Sequence, residues 1–313
     1  MLELTLENKK TFKSQVTLEK ILKDSAYSRR ESQNKSFPSL QIADVIGRAF
    51  IIAYKEQTNL LETSLIKEGL QCEVLRQRHQ PQYKHFSPSY LCLLNHLRAW
   101  QIAARENQPT LIVEADFVPV VGFGKLPLPF NPYQTDVGMC WLYTCASQIY
   151  SVSADGYAEG FSVSTVAYVV TPQGAAQLIK FAEELINNLE PNAYSTWDTY
   201  LDSFLRRHKL KNYIPFRNYG EHGGLPNLEH SRHGLSKTHR ADVLCNRLAF
   251  TPMYATNQGV NYFTFFSVRL QARIKGIARL LTGKFLRLPV LKGSKVPTRL
   301  ANFAICRQLF LYI

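Results

Sequence analysis

The chain has 313 residues, 45% of them apolar and only 19% charged, with 16 Gly and 15 Pro. This composition excludes a disordered chain, a collagen repeat and a coiled coil. Its 37 Lys and Arg against 24 Asp and Glu give a net charge of +13, but no acid follows Asp242, and residues 243–313 hold eleven of the basic residues. The body is close to neutral, and the tail calls for a polyanion: an anionic membrane surface, a nucleic acid or a phosphorylated acceptor. No recognised nucleic-acid module accompanies the charge, which sets that partner last.

Six cysteines without a Cys-x-x-Cys pair suggest reduced thiols and a cytoplasmic setting. The first residues alternate charged and apolar positions without the apolar core of a signal peptide, so no export is expected. The longest uncharged run of the body, residues 160–179, is interrupted at Thr171-Pro172 and reads as strand, turn and helix start rather than as a membrane span.

Residues 1–47 are polar and read as an appendage. Next come a buried strand at 49–54, a helix from Thr58 to Lys67 closed by Gly69, and a strand at 72–77. Ser87-Pro88 opens a helix with apolar residues at 90, 93, 94, 97 and 100, and a strand at 110–118 follows it. Strands are expected again at 139–144 and 163–170. A helix starts at Thr171-Pro172, and another is capped by Ser195 or Thr196 with Arg206, Arg207, His208 and Lys209 in its last turn. This alternation predicts an α/β fold with a mainly parallel sheet covered on both faces, binding ligands at the carboxyl ends of its strands.

The chemistry concentrates at Glu114-Ala115-Asp116, directly after the apolar run Leu111-Ile112-Val113. Two acids at the end of a buried strand lose solvation unless a cation compensates them, and a divalent ion with a sugar-nucleotide diphosphate would do so. The ordinary alternative is an N-cap or a salt-bridged strand end. A second concentration is residues 219–234, where His222, His230 and His233 sit among Gly and Pro in what reads as an irregular loop.

In order and spacing, Cys92-x-x-Asn95-His96-x-x-x-Trp100, the Leu111-Ile112-Val113-Glu114-Ala115-Asp116 strand end, Ala167-Tyr168 followed by Gly174-Ala175, and Asp198-x-x-Leu201 resemble the family 25 glycosyltransferases of the lipopolysaccharide galactosyltransferase type, over roughly residues 48–235. Three departures stand out. Asn95 replaces the usual Ser, Ala115 replaces the first of two Asp residues, and Lys55-Glu56-Gln57 lacks the expected Arg.

The resemblance implies a Rossmann-like fold of the nucleotide-sugar-dependent glycosyltransferase A type. It also implies transfer of a hexose, commonly galactose, from a UDP-sugar to a hydroxyl of a cell-surface glycan or lipid-linked acceptor, with Mn2+ or Mg2+ and inversion. Under it Asp116 is the metal contact, with His222 or His230 as a further ligand. Glu114 and Arg232 are donor contacts, Lys237 can also neutralise phosphate, and His96 is either a donor contact or a hydrogen-bonded packing residue; the ordinary alternative for the histidine-rich stretch is a solvated surface loop. Asp198 is the candidate base and Asp202 the alternate. At the first turn of a predicted helix the dipole would favour ionised Asp198 and weaken it as a base. With Ala115 in place of an acid, the same resemblance also permits a non-catalytic, glycan-binding or scaffold role.

Finally, apolar residues at 266, 270, 274, 277, 281, 285 and 288 form a helical stripe with Arg269, Arg273, Lys275, Arg279 and Arg287 off it. The chain therefore divides into a polar appendage (1–47), a catalytic domain (48–242) and a basic amphipathic segment (243–313). The last would hold the protein peripherally at the inner face of a membrane; the ordinary alternative is a helix packed on the catalytic domain with its polar face in water.

Overall fold

The structure is a computed structural model, described here for residues 40–226, 232–233, 238–256 and 259–309. After a short helix α1 (Ile42–Val45) the chain runs β1 (Arg48–Ala53), α2 (Asn59–Lys67), β2 (Cys72–Arg76), α3 (Pro88–Ala103) and β3 (Thr110–Glu114). Then follow the short β4 (Phe117–Pro119), β5 (Val137–Trp141), the hairpin β6 (Gln148–Val152) and β7 (Ala158–Phe161), and β8 (Ala167–Val170). Helices α4 (Pro172–Asn188) and α5 (Leu201–Arg207) lead to β9 (Lys211–Ile214) and β10 (Gly220–His222). The chain ends in α6 (Tyr262–Leu281), α7 (Leu288–Gly293) and α8 (Pro297–Leu309).

Eight strands form one sheet in the order β2-β1-β3-β8-β5-β9-β7-β6. β1 pairs in parallel with both β2 and β3, and β5 with β9, whereas β8 and β7 run against their neighbours. Six of the eight strands therefore point the same way, as the alternating pattern leads one to expect. Chain order reverses between β1 and β3: β2 lies on one side of β1 and β3 on the other. That is a topological switch point, where open α/β sheets leave a crevice at the carboxyl ends of their strands.

Period-two alternation sorts each strand between two apolar layers. Phe50, Ile52, Ile112, Tyr168 and Val170 face one layer, which α3, α4 and α5 cover with Leu93, Trp100, Leu178, Phe181 and Phe204. Ala49, Ile51, Leu111, Val113 and Val169 face the other, covered by Ile42, Leu61 and Leu65.

The helix starts follow their sequence signals. Ser87 Oγ accepts from Tyr90 N at 3.2 Å, Thr171 Oγ1 accepts from Gly174 N at 2.9 Å, and each helix has Pro in its first turn. Gly174 is required for a further reason: a Cβ there would lie 2.0 Å from the Gly138 carbonyl oxygen of β5.

Three features depart from the sequence reading. The expected strand 110–118 is broken at Ala115-Asp116, and its second part, β4, leaves the main sheet to pair antiparallel with β10. The loop expected at 219–234 therefore begins with a strand. The tail also packs into the body: Gln41–Ile313 is one compact unit, and Phe285, Leu300, Phe303 and Ala304 join the layer formed by α3 to α5. Arg307, fully buried, donates to the carbonyls of Pro215 (2.7 Å) and Phe216 (2.6 Å), to Thr144 Oγ1 (3.0 Å) and to Asp242 Oδ1 (2.9 Å).

Candidate active site

A cleft of about 450 Å³ opens at the carboxyl ends of β1, β2 and β3, lined among others by Ala53, Tyr54, Glu56, Cys92, Glu114 and Asp116. It lies at the switch point, and its walls follow from the fold. β1 and β2 end there, and α3 runs beneath with Asn95 donating to the carbonyls of Ala53 and Leu75 at 3.2 Å each. The departure from Ser at this position thus has a structural use, because the amide joins α3 to both strand ends.

Glu114 ends β3 and Asp116 lies just outside the sheet. The β4–β10 pairing, with Phe117 opposite His222, brings residues far apart in sequence together. His222 Nε2 lies 2.8 Å from Asp116 Oδ2, and Gly223 N donates to the Asp116 carbonyl at 2.7 Å. The turn after His222 must be bare: a Cβ on Gly224 would stand 2.3 Å from Asp116 Oδ2 and 3.0 Å from His222 Nε2.

Burial alone would raise the Asp116 carboxyl, but the charge and hydrogen bond of His222, with Arg240 nearby, outweigh it and hold the group below its usual range. The same pairing overcomes the effect of burial on His222 and raises its imidazole. Arg240 fixes this turn, donating to the carbonyls of His222 (2.8 Å), His239 (3.0 Å) and Gly224 (2.8 Å) while lying over the Tyr254 ring. Next to His222, the fully buried Glu221 accepts from the backbone N–H of His222 and Ala241, at 2.9 Å each, and from Arg269 of α6. Burial drives its carboxyl up, and Arg269 counters this.

His96 is fully buried under Glu114. Its Nδ1 is 2.8 Å from the Tyr168 hydroxyl, which also accepts from Trp100 Nε1 at 2.8 Å. With the hydroxyl proton directed at Nδ1, Nε2 carries the imidazole hydrogen and faces Glu114 Oε1 at 3.4 Å. Thr165 Oγ1 donates to that same oxygen at 2.7 Å.

Among the described residues, Cys92, His96 and Glu114 are the one group of three or more potential metal ligands whose donor atoms lie within 4.8 Å of each other. Burial and the neighbouring carboxylates of Glu114, Asp198 and Asp116 push the Cys92 thiol well up, which keeps it protonated.

Asp198 is half-buried in a short 3-10 turn, Trp197–Tyr200, ahead of α5. Burial first, and then the charge of Glu114, push its carboxyl up to about 7. Here the structure corrects the dipole argument: desolvation and a neighbouring carboxylate win, so Asp198 is a stronger base than an ordinary aspartate. Asp202 is different. Its two oxygens accept from Tyr150 (2.9 Å) and Asn212 (2.9 Å), which ties α5 to β6 and β9.

Of the residues singled out in the sequence, Glu114, Asp116, His96 and His222 therefore meet around one cleft, and Asp198 lies within electrostatic reach of Glu114. Asp202 is held elsewhere by its partners. Arg232 is exposed, while His230 and Lys237 lie outside the described residues.

Arg240, Tyr143 and Thr165 were not legible as site residues, since carbonyls and side chains distant in sequence define their places. Several buried polar atoms here lack a hydrogen-bond partner: Asp116 Oδ1, His96 Nε2, Tyr143 Oη, Tyr254 Oη and Arg240 Nε. Of these, Asp116 Oδ1 belongs to the cleft itself, while Arg240 and Tyr254 line a separate cavity of about 480 Å³ beside α6; an orphaned carboxylate oxygen at the cleft marks a place prepared for a polar or cationic ligand. The donor set at its mouth, a carboxylate and an imidazole with an orphaned carboxylate oxygen, suits a hard or borderline divalent cation such as Mn2+ or Mg2+.

No family model matches the chain, and no curated protein matches its sequence. Among solved structures it is similar to a glycosyltransferase involved in the glycosylation of the major capsid of PBCV-1, with 9% identity over 54% of this chain and 81% of the other and a TM-score of 0.37. It is also similar to a mutant Drosophila beta-1,4-galactosyltransferase 7 in complex with manganese, UDP-Gal and xylobiose, with 11% identity over 54% of this chain and 65% of the other and a TM-score of 0.30. At such identities neither likeness transfers the role of any residue.

Proposed function

We propose that the chain is a glycosyltransferase of the A-type fold, using a nucleotide-diphosphate sugar, with UDP-galactose as the first donor to test and a glycan or lipid-linked hydroxyl as acceptor. The observation that carries this reading is the meeting of Asp116 with His222 at the switch-point cleft, with Asp198, raised to about 7, within electrostatic reach of Glu114 in that cleft. A nucleotide fits the β1–β3 part of the cleft, where Tyr54, about half exposed, offers an aromatic face to a base.

A divalent cation held by Asp116 and His222 would neutralise the diphosphate as it departs. The chain's own residues do the rest. Arg240 keeps His222 and Gly224 in place through their carbonyls, and the Thr165 hydroxyl holds Glu114. Asp198, ionised above about pH 7, takes the proton of the acceptor hydroxyl. As that oxygen bonds to the anomeric carbon, the bond from that carbon to the diphosphate oxygen breaks. A single base with direct displacement gives inversion.

Ala115 does not remove an acid from the Asp116–His222 pair. Half-buried, it packs against the apolar layer containing Val113, Phe117 and Leu142 and also lines the cleft between Glu114 and Asp116.

Release of UDP from UDP-galactose and a panel of other UDP-hexoses, with Mn2+ present and absent, tests the reading. Turnover that Asp116→Asn abolishes in a variant that still unfolds cooperatively supports it. No turnover with any nucleotide sugar, together with no donor binding by calorimetry, would overturn it.

A further inference from the structure

The apolar row of α6 faces outward, as an interfacial helix requires, but the arginines expected to flank it at the lipid turn towards the body. Its small residues Ala272 and Gly276 are buried against the body, so close that a Cβ on Gly276 would lie 2.7 Å from Asp242 Cβ. The arginines turn inward with them. Arg269 pairs with Glu221, Arg273 with Gln308, and Arg279 donates to the Ser147 carbonyl at 2.9 Å. Phe263, Phe266, Leu270, Ile274 and Leu281 are left outside, each between 57% and 83% exposed.

Their spacing puts them on one stripe of the helix. Eighteen residues separate the first from the last, about 27 Å at 1.5 Å per residue. Ordinary surfaces expose single apolar side chains, whereas a continuous row of this length marks a contact surface.

The surroundings of the row identify what covers it. Lys284, Arg287, Lys292, Lys295 and Arg299 are exposed in the segment that continues from α6, and no acid occurs after Asp242. A second copy of the chain would bring two such cationic regions together. The amino-terminal segment 1–39 is no better matched, with eight Lys and Arg against five Asp and Glu. An anionic lipid surface satisfies both the apolar row and the cations. No described helix is long and apolar enough to cross a membrane, so α6 would lie along the interface.

We propose that the outer face of α6 docks this protein onto membranes containing anionic lipid, with Phe263, Phe266, Leu270, Ile274 and Leu281 entering the interface and the cations from Lys284 onward meeting the headgroups. This stands on exposure and charge and is independent of the catalytic reading.

Flotation of the full chain with vesicles of phosphatidylcholine alone, and with phosphatidylglycerol added, tests it. Binding is expected at least tenfold stronger with phosphatidylglycerol and weaker, though not absent, at high salt. Phe266→Ser combined with Leu270→Ser should reduce it at least tenfold while leaving the melting temperature and UDP release in solution unchanged. A second variant, Lys284→Glu with Arg287→Glu and Lys292→Glu, should abolish the preference for phosphatidylglycerol. Equal binding to both vesicles, or to neither, overturns the proposal. So does a wild-type dimer in sedimentation equilibrium that Phe266→Ser with Leu270→Ser converts to monomer, since a second copy then covers the row.

Discussion

His222 Nε2 and Asp116 Oδ2 lie 2.8 Å apart across 106 residues of chain, held there by three residue pairs of a two-stranded ribbon. Everything proposed for the site depends on that approach, and Gly224 is the residue that leaves room for it. Gly224→Ala would place a methyl group 2.3 Å from the carboxylate oxygen. Turnover should fall at least tenfold, in step with His222→Ala, as expected when reacting groups are displaced by an ångström or so. Donor turnover and Mn2+ affinity, measured side by side in both variants, check this. A fully active Gly224→Ala enzyme would separate the pair from the chemistry.

The base assignment makes a prediction about pH. Asp198 titrates at about 7 and must be ionised to accept a proton, so the transfer rate should rise with pH through about 7 and level off above it. Asp198→Asn should lower the rate about 100-fold or more and remove that limb of the profile. The folded-state value lies above that of an unfolded aspartate, so the stability Asp198 contributes is present in acid and lost as pH rises through about 7. Asp198→Asn should therefore raise the melting temperature at pH 8 relative to the native chain and not at pH 4, which thermal unfolding at the two pH values measures.

Asp202 serves as the contrast. Its carboxylate receives hydrogen bonds from Tyr150 and Asn212, so Asp202→Ala should destabilise the fold by about 1–3 kcal/mol by leaving those donors without an acceptor. The pH–rate profile of the folded enzyme should not change. Urea unfolding and the pH–rate curve of the same variant read the two effects separately, and loss of the limb near 7 in Asp202→Ala would transfer the role of base to it.

Tyr54 tests where the donor lies. Removing its ring by Tyr54→Ala should raise the donor KM roughly tenfold, consistent with about 1–3 kcal/mol for stacking a base on an aromatic ring, with little change in kcat. Initial rates against UDP-sugar concentration provide the check, and an unchanged KM would move the nucleotide out of the β1–β3 cleft.

The tail is expected to be indispensable to folding. Arg307 is fully buried with Asp242, and Arg307→Ala would leave that carboxylate without its cation, a loss of about 3–5 kcal/mol. Ending the chain near Gly259 should go further and yield an insoluble or unfolded product, because Phe285, Leu300, Phe303 and Ala304 complete the layer over the sheet. Circular dichroism and solubility of the two products decide it. A soluble, cooperatively folding body would show that the layer closes without them.

Signals confined to a few neighbouring residues were readable. Ser87-Pro88 and Thr171-Pro172 mark helix starts and the caps form as marked, and Leu111-Ile112-Val113 followed by Glu114 and Asp116 marks a strand ending at a charged edge. What escaped was decided by distant partners. The triplet Gly220-Glu221-His222 has no strand pattern of its own and becomes β10 only because β4 pairs with it. The arginines of α6 look like the solvent face of an amphipathic helix until Glu221, Ser147 and Gln308 place them inside, which turns the apolar row outward. The elevated Asp198 likewise depends on burial and on Glu114 from another strand, neither visible in its own turn.

The two-stranded ribbon also has a consequence for synthesis on the ribosome. Glu114 and Asp116 are made early, but His222 takes its place beside them through a strand whose Glu221 is secured by Arg269, and the nearby Asp242 is secured by Arg307. A nascent chain therefore carries its acidic strand end for nearly two hundred further residues before the last of these clamps can form. A prematurely released fragment would have the carboxylates without the partner that organises them.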